Sequence, residues 1–199
     1  MPLSVRNILT RRRNPSSKNK TKGQISVKSK NYRIAYGAVI AAVYAVLTYL
    51  QNLLVPGSAS MTVQFRVSEI LNVMALFTPS AIPGLTLGCL ISNAFSAASG
   101  LPLDMIFGSV ATLGSAVCMY LFRNMKIREF PLISMLMPAL WNGLIVGWEI
   151  EYFFVEGPFE WVGFLTCGVF VALGEAVVML IPGTALYYAV KRRKMEVLL

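Results

Sequence analysis

Histidine is absent from this chain of 199 residues, and its three cysteines lie singly within apolar runs. A transition-metal site needs several His, Cys or carboxylate ligands close together, and a disulfide framework needs paired cysteines. The sequence also contains no GxxxxGK[ST] phosphate loop and no nucleophile with a histidine base. We therefore expect no metal site, no disulfide, no enzymatic activity and no cofactor in this polypeptide.

Acidic residues are missing from the first 31 positions, where nine lysines and arginines occur. A segment this basic buries too little apolar surface to offset the entropy of ordering, so residues 1–31 are predicted to be a disordered tail. The segment also lacks the apolar core of a signal peptide. Beside a membrane span, such a tail is typical of a cytoplasmic flank held by anionic membrane lipid, and we prefer this interpretation to nucleic-acid binding.

Apolar residues make up 56% of the chain and occur in runs long enough to cross a hydrocarbon core, which needs about 20 helical residues. We predict an all-α integral membrane protein whose membrane domain covers residues 32–194. The six predicted transmembrane helices cover residues 33–54, 67–77, 84–98, 103–122, 132–153 and 161–190. Pro79 and Pro83 have no backbone N–H to donate, so they interrupt the helix after the second, shorter run.

Basic residues are distributed unevenly around these spans. Ten lie in residues 1–33, three follow the fourth span and four end the last, so 17 of the 18 fall on one side of a six-span topology. Cytoplasmic loops collect Lys and Arg, so both termini are predicted to be cytoplasmic. The exception is Arg66.

Ionisable residues within the predicted spans indicate a functional site, because a charge in a bilayer costs several kcal/mol unless it is paired or hydrated. Glu149 and Glu175 have no basic neighbour in their own helices, so they need a cross-helix partner or a ligand. Asn142 lies seven residues before Glu149 and projects from the same side of that helix. Arg66 and Glu69, three residues apart, either neutralise each other or form the outer rim of a pocket.

Other residues have both a structural and a functional interpretation. Asp104 is interpreted first as a helix cap, because an acid in the first turn complements the helix dipole. Glu151 is assigned, with the acidic turn after it, to a solvated loop face. Trp141 is available to stack on a planar ligand. Small residues on the first span allow another helix to approach closely, whether from this chain or from a partner, and they include Ala38, Ala42 and Ala45.

Six short segments together resemble the QueT family, in the expected order and over roughly residues 33–190. They are Gln64–Glu69, Phe77–Leu85, Gly88–Asn93, Asp104–Leu113, Asn142–Gly147 and Leu173–Glu175. Members of this family are identified as substrate-binding S components of energy-coupling factor (ECF) transporters, assigned to queuosine precursors.

The resemblance implies a division of labour that suits a chain without a nucleotide motif. In ECF transporters of prokaryotic cell membranes, a six-helix S component binds a vitamin-like solute from outside and topples to deliver it. A partner module of two ATPases and a transmembrane coupling protein uses the ATP. The resemblance also implies that the alanines of the first span, Ala38, Ala42 and Ala45, dock onto the coupling protein.

A 7-deazaguanine such as queuine, preQ1 or preQ0 is the implied substrate. Its adjacent N–H and NH2 donors suit a carboxylate, its carbonyl suits Asn, Gln or Arg, and its plane suits an aromatic ring. Glu149 or Glu175 is the candidate for the donor edge, and Arg66 and Glu69 for the mouth or the 7-substituent. The full set of candidate binding residues is Glu149, Glu175, Asn142, Asn93, Gln64, Arg66, Glu69 and Trp141.

Three alternatives remain beside this hypothesis. An S component for another small vitamin-like solute would keep the fold and change the pocket. A stand-alone secondary transporter or channel would need no ATPase module, although the sequence has no visible inverted repeat of the kind that favours one. An intramembrane enzyme is disfavoured, because no nucleophile and base are readable.

Overall fold

A computed structural model describes residues 15–55, 65–97 and 102–193, with side chains in 30–55, 65–94 and 103–193. Every regular element within these ranges is a helix. In chain order they are α1 (Pro15–Leu54), a 3₁₀ helix (Val67–Leu76), α2 (Ala81–Ala97), α3 (Pro102–Phe122), α4 (Leu132–Met135), α5 (Met137–Phe153), α6 (Trp161–Val178), a π-helical turn (Met179–Gly183) and α7 (Thr184–Arg192).

Four helical stretches in these ranges are long and apolar enough to cross a membrane: Lys30–Leu54, Leu103–Phe122, Leu132–Phe153 and Trp161–Arg192. The prediction of an all-α protein with several membrane-spanning helices is confirmed in this form. Two further apolar helices, Val67–Leu76 and Ala81–Ala94, are shorter. The count of six spans and the cytoplasmic position of the termini stay predictions.

The second predicted span is a 3₁₀ helix of ten residues rather than an α-helix. At about 2 Å per residue it is roughly 20 Å long, which is less than the hydrocarbon thickness of about 30 Å. Its side chains are mostly buried, and Val73 and Ala75 are fully enclosed in the main core beside Met135 and Met179. The segment is therefore a core element, and it carries Glu69 into the interior.

The chain divides into two compact units, Met1–Ile34 and Ala35–Leu199. Helix α1 begins at Pro15, inside the segment predicted as a disordered tail. A helix that is nucleated in an apolar span can extend toward its N-terminus without the cost of a new nucleus. The domain boundary after residue 31 stays a prediction, and residues 1–14 lie outside the described part of the chain.

Helix α5 packs extensively on α6 and on α3, and α2 packs on α3. The α5–α6 crossing is close because glycines face each other: a Cβ on Gly147 would lie 2.5 Å from the Cα of Gly168. Glycine pairs of this kind let membrane helices approach at backbone distance. The resulting contact fixes the position of Glu149, which is two residues beyond Gly147 on α5.

Candidate functional site

Arg66 lies at the centre of a buried polar cluster. It precedes the 3₁₀ helix in an extended conformation, and its guanidinium reaches α3, where Nη2 lies 2.5 Å from Oδ2 of Asp104. Nη1 lies 3.9 Å from Sγ of Cys89 on α2. The one basic residue outside the predicted cytoplasmic segments is therefore a buried ion-pair partner that ties α3 to the start of the 3₁₀ helix.

Glu69 is fully buried one turn further along. Its Oε1 accepts a hydrogen bond of 2.5 Å from the hydroxyl of Tyr44 on α1 and a longer one of 3.4 Å from Thr112 on α3. Its Oε2 accepts a hydrogen bond from Nδ2 of Asn72. Side chains three residues apart eclipse in a 3₁₀ helix, so the local geometry itself brings Asn72 onto Glu69.

The proposed self-neutralising pair of Arg66 and Glu69 is not what the structure has. Arg66 occupies the N-cap position, with φ −88° and ψ 100°, and therefore lies just before the helix. The i, i+3 spacing of an α-helix does not apply to Arg66 and Glu69. Arg66 makes its ion pair with Asp104 instead, which is therefore more than a helix cap. The interpretation of this segment as an outer rim also changes, because Arg66 and Glu69 are both buried.

Glu149 on α5 and Glu175 on α6 are 1% and 0% exposed, and neither carboxylate has a hydrogen-bond partner in the part of the chain that the structure describes. Glu149 interacts electrostatically with Asp104 and Arg66. Glu175 interacts with Glu69 and Arg66. Because both share Arg66, the structure brings the two predicted glutamates to the same charged cluster from different helices.

The two asparagines differ in what their amides do. Nδ2 of Asn142 is buried and has no hydrogen-bond partner among the described residues, and its side chain shares the buried face of α5 with Glu149, about 10 Å away along the axis. Nδ2 of Asn93 instead donates to the backbone oxygen of Asp104 at 2.9 Å. Asn142 is thus available to a ligand, whereas Asn93 holds the first turn of α3 in place.

The remaining predicted residues lie elsewhere. Trp141 is half-buried, and its ring packs on Gly114 of α3, where an added Cβ would lie 2.5 Å from Cε3. Ala38 and Ala42 are exposed on α1 and Ala45 is partly exposed, so they do not pack within the described part of this chain as tightly as the buried Ala41. Gln64 lies outside the described residues.

Sequence reasoning missed Tyr44 and misassigned Glu151. Tyr44 shares a buried face of α1 with Gly37, Ala41 and Thr48, and a polar ring in mid-span on such a face is a signal for an internal hydrogen bond.

Glu151 is buried rather than solvated, and its Oε1 accepts the backbone N–H of Glu160 at 3.2 Å at the start of α6. An acid in the last turn of one helix can accept backbone N–H groups at the N-terminus of the next helix.

The cluster therefore combines four buried carboxylates, those of Glu69, Asp104, Glu149 and Glu175, with the guanidinium of Arg66. Apart from the Arg66–Asp104 ion pair, three acidic side chains have no cation of their own among the described residues, and this is the acidic surplus of the cluster. Buried carboxylates are stable only when donors or cations approach them, so the arrangement suits a small solute that carries several N–H groups. The class defined by these features is a multi-pass membrane protein built around a buried acidic site.

Comparison with known proteins gives the particular family. The family model described as "QueT transporter" matches residues 34–192, and the chain belongs to this family. The chain is 40% identical over 89 residues to the "Queuosine precursor transporter QueT" of Lactococcus lactis subsp. cremoris (strain MG1363), which is 43% of this chain and 48% of that protein. The match thus spans about half the length of this relative. No solved structure matches the chain.

Proposed function

We propose that this protein binds a queuosine precursor, a 7-deazaguanine, and serves as the substrate-binding subunit for its uptake. The observation that carries the proposal is a set of three buried polar side chains, Glu149, Glu175 and Asn142, whose carboxylate oxygens and amide nitrogen have no hydrogen-bond partner among the described residues. The membership in a transporter family supports it, and so does the name of the relative from Lactococcus lactis.

The base offers complementary groups to these side chains. One carboxylate accepts the adjacent ring N–H and exocyclic NH2 in a bidentate pair, and the amide of Asn142 donates to the carbonyl. The second carboxylate then remains for the substituent at position 7. Since preQ1 and queuine carry an amine that is protonated at neutral pH and preQ0 carries a neutral nitrile, the acidic surplus favours the two amines.

Binding of these three compounds to the purified protein is the direct test. We expect preQ1 or queuine to bind at micromolar concentration or better, and preQ0 to bind at least tenfold more weakly, because a charged hydrogen bond contributes about 1.5–3 kcal/mol. Isothermal titration calorimetry in detergent measures all three, with adenine as a planar control. Indifference to all three compounds would remove this substrate class, and equal affinity for all three would remove the role of the second carboxylate.

The proposal extends to the mechanism of uptake. The subunit lies in a prokaryotic cell membrane with six spans and cytoplasmic termini, and a partner module of two ATPases and a coupling protein supplies the energy from ATP. The exposed alanines of α1 are the docking face for that module. In the rival mechanism, a stand-alone secondary transporter or channel, uptake would persist in cells that lack the ATPases.

Enlarging two of these alanines should weaken assembly with the module. Ala38→Leu with Ala42→Leu adds bulk to an exposed small-residue face that lets another helix approach closely, so we expect co-purification of the coupling protein to fall at least fivefold. Ala185→Leu with Ala189→Leu is the matched control, because these alanines are also exposed and four residues apart, on α7. Equal loss in both pairs, or no loss in either, would contradict docking through α1.

A further inference from the structure

A polar cavity lies apart from the buried cluster, beside the turn that follows α3. Its volume is about 260 Å³, and its lining includes Arg123, Asn124, Lys126, Phe77 and Tyr187. None of the described residues in the lining carries a carboxylate. Two cations that border one concave site without a neutralising acid form an anion-binding environment.

Arg123 is held in position by the last turn of α3, which it directly follows. Its Nη1 donates to the backbone oxygen of Tyr120 at 2.6 Å, and its guanidinium lies 3.8 Å from the centroid of the Tyr120 ring. Lys126 is followed directly by a closed turn, in which Ile127 and Phe130 exchange backbone hydrogen bonds of 2.9 and 3.1 Å. The guanidinium of Arg123 is thus positioned beforehand, and a cation positioned in this way loses less conformational entropy when an anion binds.

Two aromatic side chains, Phe77 and Tyr187, also line the cavity. The ring of Tyr187 stacks on Phe77 with centroids 5.7 Å apart, and Phe130 packs edge-on against it at 5.8 Å. Nζ of Lys191 lies 5.8 Å from the Tyr187 centroid, which adds a third cation close to the cavity. The site thus combines cations with packed aromatic rings.

The position of the cavity along the helices indicates which anions reach it. Arg123 follows the last apolar residue of α3, and Tyr187 is within two turns of the end of the last membrane-spanning stretch at Arg192. Such positions lie at the boundary between hydrocarbon and headgroups, where basic pockets between helices bind lipid phosphates. The aromatic part of the lining matches the glycerol and upper acyl region of a lipid.

We propose that this cavity binds a phosphate group, with the headgroup of an anionic phospholipid as its source. The phosphate lies between Arg123 and Lys126, Asn124 donates a further hydrogen bond, and the acyl portion follows the wall formed by Phe77 and Tyr187. The site is independent of the substrate cluster, so its occupancy does not require a bound base.

Native mass spectrometry of the detergent-solubilised full chain tests this assignment. The probes are phosphatidylglycerol, phosphatidylcholine and inorganic phosphate, each added alone and in competition. We expect wild-type protein to retain one phosphatidylglycerol in preference to phosphatidylcholine, and Arg123→Gln with Lys126→Gln to reduce that retention at least fivefold. Arg128→Gln with Arg193→Gln removes the same charge from exposed positions outside the cavity and should retain the lipid.

Each further outcome has a defined meaning. Inorganic phosphate could occupy the cavity in the wild type, be lost from Arg123→Gln with Lys126→Gln (the cavity variant) and resist displacement by the lipid. This result would support the phosphate site and assign it to a free anion. Equal loss in both double variants would overturn the proposal, because it would leave only general surface charge. Unchanged lipid retention with loss of the coupling protein from the cavity variant would also overturn it, in favour of a protein contact. Unaltered thermal unfolding in both variants excludes misfolding as the cause.

Discussion

Replacement of Arg66 by methionine should destabilise the folded protein by about 3–5 kcal/mol, the usual cost of removing one partner from a buried ion pair. Methionine keeps much of the volume but leaves the carboxylate of Asp104, now 2.5 Å from the guanidinium, without its countercharge. The same loss affects Glu69, Glu149 and Glu175, since all three interact electrostatically with Arg66. No other single substitution in the described cluster removes so much favourable charge interaction.

Thermal unfolding in detergent measures this effect when it is monitored through the reaction of cysteine with a thiol-specific dye. Cys89 and Cys167 are buried free thiols that become reactive as the fold opens. Arg193→Met is the matched control, because Arg193 is exposed and its replacement should leave the midpoint unchanged.

A double variant separates the ion pair from the wider field. Arg66→Met with Asp104→Leu removes both charges of the pair, so this variant should be more stable than Arg66→Met alone. It should remain less stable than the wild type, because Glu69, Glu149 and Glu175 still lack the interaction with Arg66. Two results would show that the ion pair between α3 and the 3₁₀ helix does not stabilise the fold. One is an unfolding midpoint of Arg66→Met equal to that of the wild type. The other is a loss of stability in the double variant at least as large as the summed losses of Arg66→Met and Asp104→Leu.

The helices and the polar residues inside them could be predicted from the sequence because both follow from local patterns. Apolar runs of sufficient length specify membrane helices, and an ionisable residue within such a run is conspicuous whatever its partner is. Glu149 and Glu175 were identified in this way, and the structure joins them through their shared interaction with Arg66.

The partners of these residues could not be predicted, because they are set by tertiary contacts. The pairing of Arg66 with Asp104 depends on the 3₁₀ helix that starts after Arg66, and a ten-residue 3₁₀ helix has no signature distinct from a short α-helix. The hydrogen bond from Tyr44 to Glu69 joins residues on separate helices. Spacing along the chain allows a local pair of Arg66 and Glu69 as one of two interpretations, and the structure has the tertiary ion pair of Arg66 with Asp104 instead.

Conversion of Glu175 to glutamine should weaken binding of preQ1 about 10- to 100-fold, as expected when a hydrogen bond to a charged group is lost. The substitution preserves the shape of the side chain but removes its capacity to carry a negative charge when a cationic ligand binds. It also replaces an acceptor oxygen with an NH2 group that opposes the N–H donors of the base. Glu149→Gln should act similarly, because its carboxylate is also buried and without a hydrogen-bond partner among the described residues.

The two variants should differ in their relative affinity for preQ1 and preQ0, whose 7-substituents differ. This difference shows which carboxylate has which role. Loss of the carboxylate that accepts the base edge weakens preQ1 and preQ0 by the same factor. Loss of the carboxylate that faces the amine weakens preQ1 alone, so the preference over preQ0 disappears. Calorimetry with both ligands on both variants resolves the two patterns.

Glu151→Gln provides the control for these measurements. Glu151 is a buried glutamate on α5, like Glu149, but its carboxylate accepts the N–H of Glu160 and lies outside the charged cluster. Glutamine retains an acceptor oxygen for that bond, so the affinity for either ligand should stay within twofold of the wild type. Wild-type affinity in both Glu149→Gln and Glu175→Gln would exclude these side chains from recognition. The acidic surplus of the cluster would then have to serve another purpose than binding the base.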